Sequence, residues 1–471
     1  MSADIRPVNK GLSLFSLVMM NVVTVASLRA LTASAEYGFS LLFFYGVGAI
    51  FFFIPSALVS AELATGWPSL GGSYVWVREA FGSRCGFVSA WIQWICTIVW
   101  YPVALTFISA MIAHFIGPEL AESKYYVFTC VLVLFWGATL LNCFGIEISS
   151  WVSTMGALFG TIFPMIVIMV LGLWWMCTGH PRHIEISYHH LFPQNYSLHY
   201  LSYALAIIFG LIGMEVSAVH ACDVVRPEHN YPKAQLYSAL IILFTLVFSS
   251  LSVGIVVPPD QLSLVSGIGQ ALAIFGDAYG MHWLAYLTLG LIVIGALAGL
   301  STWLIGPTRG LLAAGQDHFL PSLFHYVNKK DAPVGLLLVQ AVIVSILTLL
   351  FLLMPAVNGS YWVLTALASQ LNLLFYIIFF AAAIRLRYKH AHRPRAYKIP
   401  GGKTGIWLVG ISGIVICTLA ILLGFLPPSD MQVGNLFVYE SILFGGILFF
   451  CVLPLFFLHG KVEGVQERTL V

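Results

Sequence analysis

The stretch Tyr203–Ala234, YALAIIFGLIGMEVSAVHACDVVRPEHNYPKA, begins as an apolar helix and then carries polar residues at a depth where lipid offers them no partner. Gly210 and Gly213 precede Glu215, and His220 follows. An ionised side chain near the centre of a bilayer costs about 3 kcal/mol or more, so such residues normally face a cavity or a partner. Irregular backbone at that depth is tolerated where it lines a water-filled pocket. The stretch therefore predicts a broken membrane helix with a substrate site at the break, as in transporters.

The composition predicts a protein that crosses a membrane many times. Of the 471 residues, 60% are hydrophobic and only 8% are charged, and the mean hydropathy is +0.93. Soluble domains carry about 25% charged residues. The net charge of +2 gives no indication of nucleic-acid binding. The eight cysteines include no Cys-x-x-Cys pair, so we interpret them as small packing residues and not as disulfides or metal ligands.

Apolar stretches of about 20 residues, the length that a helix needs to cross the hydrocarbon, recur along the chain. They predict an all-α membrane protein with twelve transmembrane helices. The predicted helices are Leu12–Ser34, Phe39–Ala64, Gly86–Phe115, Tyr126–Asn142, Trp151–Cys177, Tyr200–Asp223, Leu236–Val257, His282–Ala313, Val334–Leu353, Trp362–Arg387, Gly405–Leu426 and Phe437–His459. Between the second and third of them, Pro68–Gly82 is amphipathic and is predicted to lie in the membrane interface.

The basic residues predict the orientation, because loops rich in Lys and Arg remain in the cytoplasm. With twelve helices and cytoplasmic termini, 18 of the 21 Lys and Arg residues lie inside, Lys124 and Arg182 lie outside, and Arg29 lies within the first helix. The sequence thus predicts a multi-pass protein of the bacterial inner membrane with both termini in the cytoplasm. The outer loop 179–199 holds five of the fourteen histidines. We interpret it as a solvated loop, with acid sensing or metal binding as alternatives.

The first predicted helix is interrupted like the sixth, by Asn21, Thr24, Ser27 and Arg29. Each of these helices opens a block of five, and matching breaks in matching positions are typical of inverted-repeat transporters. The predicted units are a cytoplasmic N-terminus (1–11), a first five-helix repeat (12–178), an outer loop (179–199), a second five-helix repeat (200–388), a cytoplasmic loop (389–404), two extra helices (405–459) and a short cytoplasmic tail (460–471).

Several segments resemble one family of transporters. Glu62 in SAELAT, GGSYVWVREAFG and MEVSAVH are similar to segments of the amino acid–polyamine–organocation (APC) superfamily. More narrowly, the chain resembles the glutamate/GABA antiporter group in GFSLLFF, IPSALVSAEL, EVSAVHACDVVRPEHNYPKA, WLIGPTRGL, YKIPGGK and FLPPSD. The resemblance implies two inverted five-helix repeats with broken first and sixth helices, plus two further helices. It also implies exchange or proton-linked uptake of amino acids by alternating access.

The resemblance assigns roles by position. Glu215 matches the family's glutamate of the sixth helix, and Tyr376 matches a tyrosine of the tenth. Gly299 stands where the acid antiporters carry a glutamate on the eighth helix. Arg29 and Asn372 stand roughly where they carry tyrosines.

The substrate site is expected around the two breaks. An amino acid brings a carboxylate and an ammonium into a medium of low dielectric, and both must be paired there. The expected substrate-binding residues are Asn21, Thr24, Ser27, Arg29, Phe209, Gly210, Gly213, Glu215, Gly299, Asn372 and Tyr376. The expected gating or coupling residues are Glu62, Glu215 and His220.

Each charged candidate has alternative roles. Glu215 could pair with the substrate ammonium, hold a proton whose release is linked to transport, or brace the sixth helix. Arg29 could hold a substrate carboxylate, or pair with Glu215 or Glu36 as a gate. Glu62 could cap its helix or brace a loop, and His220 could be a packing histidine.

The motifs of other functional classes are missing from the sequence. There is no HExxH, GxSxG or Walker sequence, so neither an enzyme, a metal nor a cofactor is expected. Two broken helices in one chain disfavour a channel, and an amino acid sensor of the same fold stays open as an alternative. Arg29 disfavours a cationic side chain by like-charge repulsion. The expected partners are a small neutral or acidic amino acid and membrane lipid, with no nucleic acid, and the protein is expected to be a monomer or homodimer.

Overall fold

The computed structural model describes residues 12–68, 72–144, 155–156, 158–218, 224–314, 320–321, 324, 326–328, 332–428 and 431–459, which are helical apart from loops and one isolated backbone pair. The helices, in chain order, are α1 (Leu14–Val25), α2 (Ala30–Ala35), α3 (Gly38–Gly66), α4 (Gly72–Phe81), α5 (Ser83–Ile116), α6 (Lys124–Cys143), α7 (Leu158–Cys177), α8 (Leu198–Gly210), α9 (Pro227–Val256), α10 (Gly267–Tyr279), α11 (His282–Ala314), α12 (Val334–Leu353), α13 (Val357–Lys389), α14 (Gly402–Leu423) and α15 (Leu436–His459). Short 3₁₀ turns occupy the loops.

Ten helices in these described ranges are long and apolar enough to cross a membrane. Helices α1 and α8 are apolar but shorter, and they lie where the sequence predicts interrupted helices. The breaks shorten both, so they fall below the length of a single span. The chain is therefore a multi-pass membrane protein, as predicted.

Apart from the two interrupted helices, the largest difference from the predicted helix ends is at α9, which begins at Pro227 and not at Leu236. Proline fits the first turn of a helix because its missing N–H would have no partner there anyway. Pro232, one turn further on, also lies inside the helix. The segment around the two prolines therefore belongs to α9, where the sequence predicts a loop.

The first break lies between α1 and α2. Helix α1 ends at Val25, and Ala26 is extended, with φ −63° and ψ 113°. Asn21 and Thr24, which the sequence suggested as part of the break, lie inside α1. The Thr24 hydroxyl donates to the Met20 carbonyl at 2.7 Å, a bond that a helix accommodates. Of the predicted break residues, only Ser27 and Arg29 fall in the interruption.

The second break follows α8. The helix ends at Gly210, and Gly213 has a φ of +123°, a conformation that glycine adopts without steric cost. The backbone from there to Ala218 forms turns and a short 3₁₀ segment. The prediction of an unwound helix around Gly210 and Gly213 is thus confirmed. His220 and Asp223 lie outside the described residues.

The two breaks face each other. A Cβ placed on Gly213 would lie 3.3 Å from the Val25 side chain, and one on Gly210 would lie 2.9 Å from the Ala30 Cβ. Helices α5 and α13 surround the breaks and are largely buried, whereas α15 is mostly exposed and lies at the periphery. Outside the helices, Leu12 pairs with Val224 as a parallel backbone bridge. The two broken elements are therefore neighbours in the centre of the molecule.

Candidate substrate site

The unwound segment after α8 is attached to α13 through Tyr376. The Gly213 N–H donates to the Tyr376 hydroxyl oxygen at 3.0 Å, and the Tyr376 O–H donates in turn to the Glu215 carboxylate. Glu215 is 5% exposed. An ionised group so buried requires a hydrogen-bond donor. The structure therefore brings together three of the predicted site residues, and one phenol fixes both the irregular backbone and the acid.

A second set of bonds holds the same segment to α3 and α9. The Met214 carbonyl accepts from the Gln235 amide at 3.0 Å and from the Ser60 hydroxyl at 3.3 Å. The Tyr231 hydroxyl lies 3.1 Å from that of Ser217 and 3.3 Å from that of Ser60. Sequence reasoning missed these residues, since hydroxyls and amides near helix ends carry no signal that distinguishes them. They satisfy backbone that the break leaves without helical partners.

Arg29 follows the first break and lies between aromatic rings. Its guanidinium carbon is 5.4 Å from the centre of the Trp100 ring and 5.2 Å from that of Phe209. The buried Nη1 atom has no hydrogen-bond partner, and no salt bridge to Arg29 occurs among the described residues. The structure does not pair Arg29 with Glu215. No carboxylate among the described residues is paired with this cation.

Three other predicted residues have different surroundings. Asn21, in the helix that precedes the first break, is fully buried, and neither its Oδ1 nor its Nδ2 has a partner within the described part of the chain. Asn372 lies beside Cys96 of α5, whose thiol donates to the Ala368 carbonyl at 3.3 Å. A Cβ on Gly299 would meet no atom within 4 Å. Of these three, Asn21 therefore provides an unsatisfied polar group next to a break.

A small cavity adjoins Arg29, with a volume of about 20 Å³, enough for one water molecule. Phe209 and Gly210 line it together with α13 residues, including Tyr361, Trp362 and Thr365. The α13 residues were not predicted from the sequence. They lie in an apolar stretch of sequence that looks like ordinary core packing. Only the fold brings them next to Arg29.

Glu62 lies apart from the breaks, near the end of α3. It accepts from Arg387, from Arg395 at 3.0 Å and from the Ile399 N–H at 2.9 Å. The Arg395 guanidinium carbon lies 5.0 Å from the centre of the Trp67 ring. This Glu62 cluster ties α3 to the loop after α13. Its geometry is that of a loop brace.

The histidine-rich loop 179–199 lies at the opposite end of α3. His190 Nε2 lies 3.3 Å from a Glu185 carboxylate oxygen, and both side chains are solvent-exposed. In the described ranges, no three His, Cys, Asp or Glu side chains cluster as metal ligands would. The described loop residues thus provide no assembled metal site.

Comparison with known proteins fits this geometry. The model of the amino acid permease family matches residues 12–449. The chain belongs to this family. It is therefore a transporter of the APC superfamily, as the sequence resemblance implies.

The relatives of this permease include transporters with several named substrates. An uncharacterized transporter of Legionella pneumophila is 50% identical over 449 residues, covering 95% of this chain and 96% of the relative. A glutamate/gamma-aminobutyrate antiporter of Lactococcus lactis is 27% identical, covering 96% and 91%. A probable agmatine/putrescine antiporter of the same species is 25% identical, covering 93% of each. These names differ in the charge of the substrate, so the substrate must be argued from the site.

Proposed function

We propose that this permease is a secondary active amino acid transporter, an antiporter or a proton-coupled carrier that works by alternating access. The observation that supports this proposal most strongly is the pair of facing breaks, in which Tyr376 connects Glu215 to the unwound backbone. Substrate and coupling-ion sites in transporters are formed by such discontinuous helices. Asn21, Thr24, Ser27, Arg29, Phe209, Gly210, Gly213, Glu215, Gly299, Asn372 and Tyr376 are proposed to bind substrate, and Glu215 and His220 to gate or couple transport. Glu62, which the sequence also suggested for gating, is proposed instead to brace the loop after α13.

We further propose twelve crossings arranged as two inverted five-helix repeats, 12–178 and 200–388, plus two helices. Helix lengths support this arrangement. Helices α3, α5 and α6 have 29, 34 and 20 residues, and α9, α11 and α12 have 30, 33 and 20. In each block a shorter helix, α4 or α10, stands between the first and second of these long helices. The same order of lengths in both halves is what a duplicated unit would produce.

The proposed substrate is a small neutral or acidic amino acid. Arg29 is a buried cation at the first break, and it would repel a substrate with a cationic side chain. The gamma-aminobutyrate and glutamate named for one relative fit this expectation, whereas the agmatine and putrescine named for another do not. If lysine, arginine or agmatine proved the tightest ligand, the proposed substrate class would be wrong.

Counterflow in proteoliposomes tests the proposed function. Vesicles loaded with one unlabelled amino acid should accumulate the same labelled amino acid faster than unloaded vesicles. A thermal-shift screen of the purified protein against amino acids and their decarboxylation products selects the substrate, because a ligand that binds the folded state raises its melting temperature. A melting shift without counterflow would indicate a sensor.

The proposed orientation in the bacterial inner membrane has both termini in the cytoplasm and follows from the Lys and Arg distribution. Single cysteines introduced into the exposed loop 179–199 should react with a membrane-impermeant maleimide in intact cells. Cysteines introduced at 390–393 should react only after the membrane is opened. Labelling of the second set in intact cells would reverse the orientation.

A further inference from the structure

The cavity beside Arg29 contains a second unsatisfied polar group. The Thr365 hydroxyl lines it from α13, is buried, and has no hydrogen-bond partner in the described part of the structure. The Arg29 Nη1 atom is also buried and also has no hydrogen-bond partner among the described residues. Two buried donors without partners therefore border one cavity of about 20 Å³. Buried polar groups are ordinarily satisfied, so this coincidence requires an explanation.

Thr365 differs from three other buried threonines in these helices. The hydroxyls of Thr106, Thr288 and Thr348 each donate to the carbonyl four residues earlier, at 2.7 Å. That bond is the usual solution for a threonine inside a helix. The Thr365 hydroxyl does not make it and remains available to donate to a ligand.

Arg29 has a greater need of a partner. A guanidinium stays protonated, and a charge removed from water costs several kcal/mol unless a counter-charge compensates it. Its contacts with the Trp100 and Phe209 rings offset only part of this cost. They do not replace an anion, and the described residues place no carboxylate within 4 Å of Arg29.

We propose that Arg29 and Thr365 form a carboxylate-binding subsite that receives the carboxylate of the transported amino acid. This inference rests on the proposed function. The cavity is too small for an amino acid but has room for one carboxylate oxygen, which is the size of a water molecule and accepts hydrogen bonds from both donors. The rest of the substrate extends from this subsite towards the breaks.

The subsite is separate from the Glu215 carboxylate. Thr365 and Tyr376 are 11 residues apart on the continuous helix α13, which corresponds to about 16 Å along its axis. Tyr376 holds Glu215, so the subsite and the Glu215 carboxylate are contacted by different turns of α13. The two positions have different roles. Arg29 and Thr365 recognise the carboxylate, and Glu215 couples transport.

Competition by matched ligands tests the subsite. The ligands are the amino acid that is exchanged in counterflow and its primary amide, in which the carboxylate is replaced. Wild type should prefer the carboxylate by at least tenfold. Arg29→Gln should abolish the preference, and Thr365→Val should reduce it about threefold. Thr139→Val is the matched control, because the Thr139 hydroxyl is also buried without a partner among the described residues but lies on α6.

Binding of acetate, measured as a melting shift, provides a test that does not need transport. Acetate should raise the melting temperature of wild type and of Thr139→Val, and should fail to do so for Arg29→Gln. If the acetate shift is seen without any exchange, the subsite holds and the proposed function fails. If Arg29→Gln does not fold, the acetate shifts of Arg29→Lys and Thr365→Val are compared with that of wild type instead.

Three results would overturn the subsite. One is an unchanged carboxylate preference in a folded Arg29→Gln protein, with exchange intact. Another is the absence of any acetate effect in wild type. The third is stabilisation by chloride that exceeds that by acetate and disappears in Arg29→Gln, which would assign the cavity to a free inorganic anion.

Discussion

Glu62 and Arg29 are both charged groups taken out of water, but their surroundings are opposite. Glu62 has two arginines and a backbone N–H, and its exposed side-chain fraction is 2%, against 10% for Arg387 and 1% for Arg395. Arg29 lies between aromatic rings, and its Nη1 atom has no hydrogen-bond partner among the residues that the structure describes. A compensated charge stabilises the structure that contains it. An uncompensated one raises its free energy until a ligand binds, so the contrast separates a structural charge from a functional one.

Removing the Glu62 charge should have the largest effect on folding. Glu62→Gln leaves Arg387 and Arg395 buried beside each other without an anion, and breaking such a cluster costs about 3–5 kcal/mol. We expect a much lower melting temperature in detergent and poor expression.

Glu79→Gln is the matched control, because Glu79 lies on the same face of the protein but is partly exposed. It is 3.7 Å from Arg78 and 4.0 Å from His390. Exposed pairs contribute about 0–1 kcal/mol, so melting should change little. Equal losses in the two variants would remove the distinction between compensated and exposed charges.

Removing the Glu215 charge should affect transport and leave folding intact. Glu215→Gln retains a group that accepts the Tyr376 hydrogen bond, so the break keeps its attachment. We expect exchange to fall at least tenfold, about 1.4 kcal/mol in the barrier, and uptake to lose its pH dependence, because an amide exchanges no proton.

The measurement is initial exchange in proteoliposomes at matched protein amounts and several pH values. The preference for carboxylate over amide should persist in Glu215→Gln, since that preference is assigned to Arg29 and Thr365. Wild-type rates with an unchanged pH profile would leave Glu215 as a brace.

Asn21 extends the comparison to an uncharged group. An unsatisfied buried amide costs about 1–3 kcal/mol, so Asn21→Leu should stabilise the fold by about 1 kcal/mol while it impairs exchange. Gln340→Leu on α12 removes another fully buried amide without a described partner, far along the chain from the breaks. It should stabilise to a similar degree and leave exchange unchanged. A transport loss in both variants, or in neither, would contradict a site at Asn21.

The sequence predicts the position of the second break well, because Gly210, Gly213 and Glu215 lie within one short stretch and none of them suits a helix that faces lipid. It places the first break too early, since Asn21 and Thr24 resemble helix breakers but stay helical. Thr365 could not be predicted, because its missing bond to the preceding turn is a property of packing. The partners of Glu62 come from residues 325 and 333 positions away, and no local pattern indicates such pairs.

The backbone pair of Leu12 and Val224 links the two halves of the chain directly. The Val225 N–H donates to the Leu12 carbonyl at 3.1 Å, which joins the entry of α1 to the backbone that leaves the second break. We expect this bond to transmit motion of either segment to the other. A spectroscopic probe on Leu12 should then also report displacement of the backbone that leaves the second break.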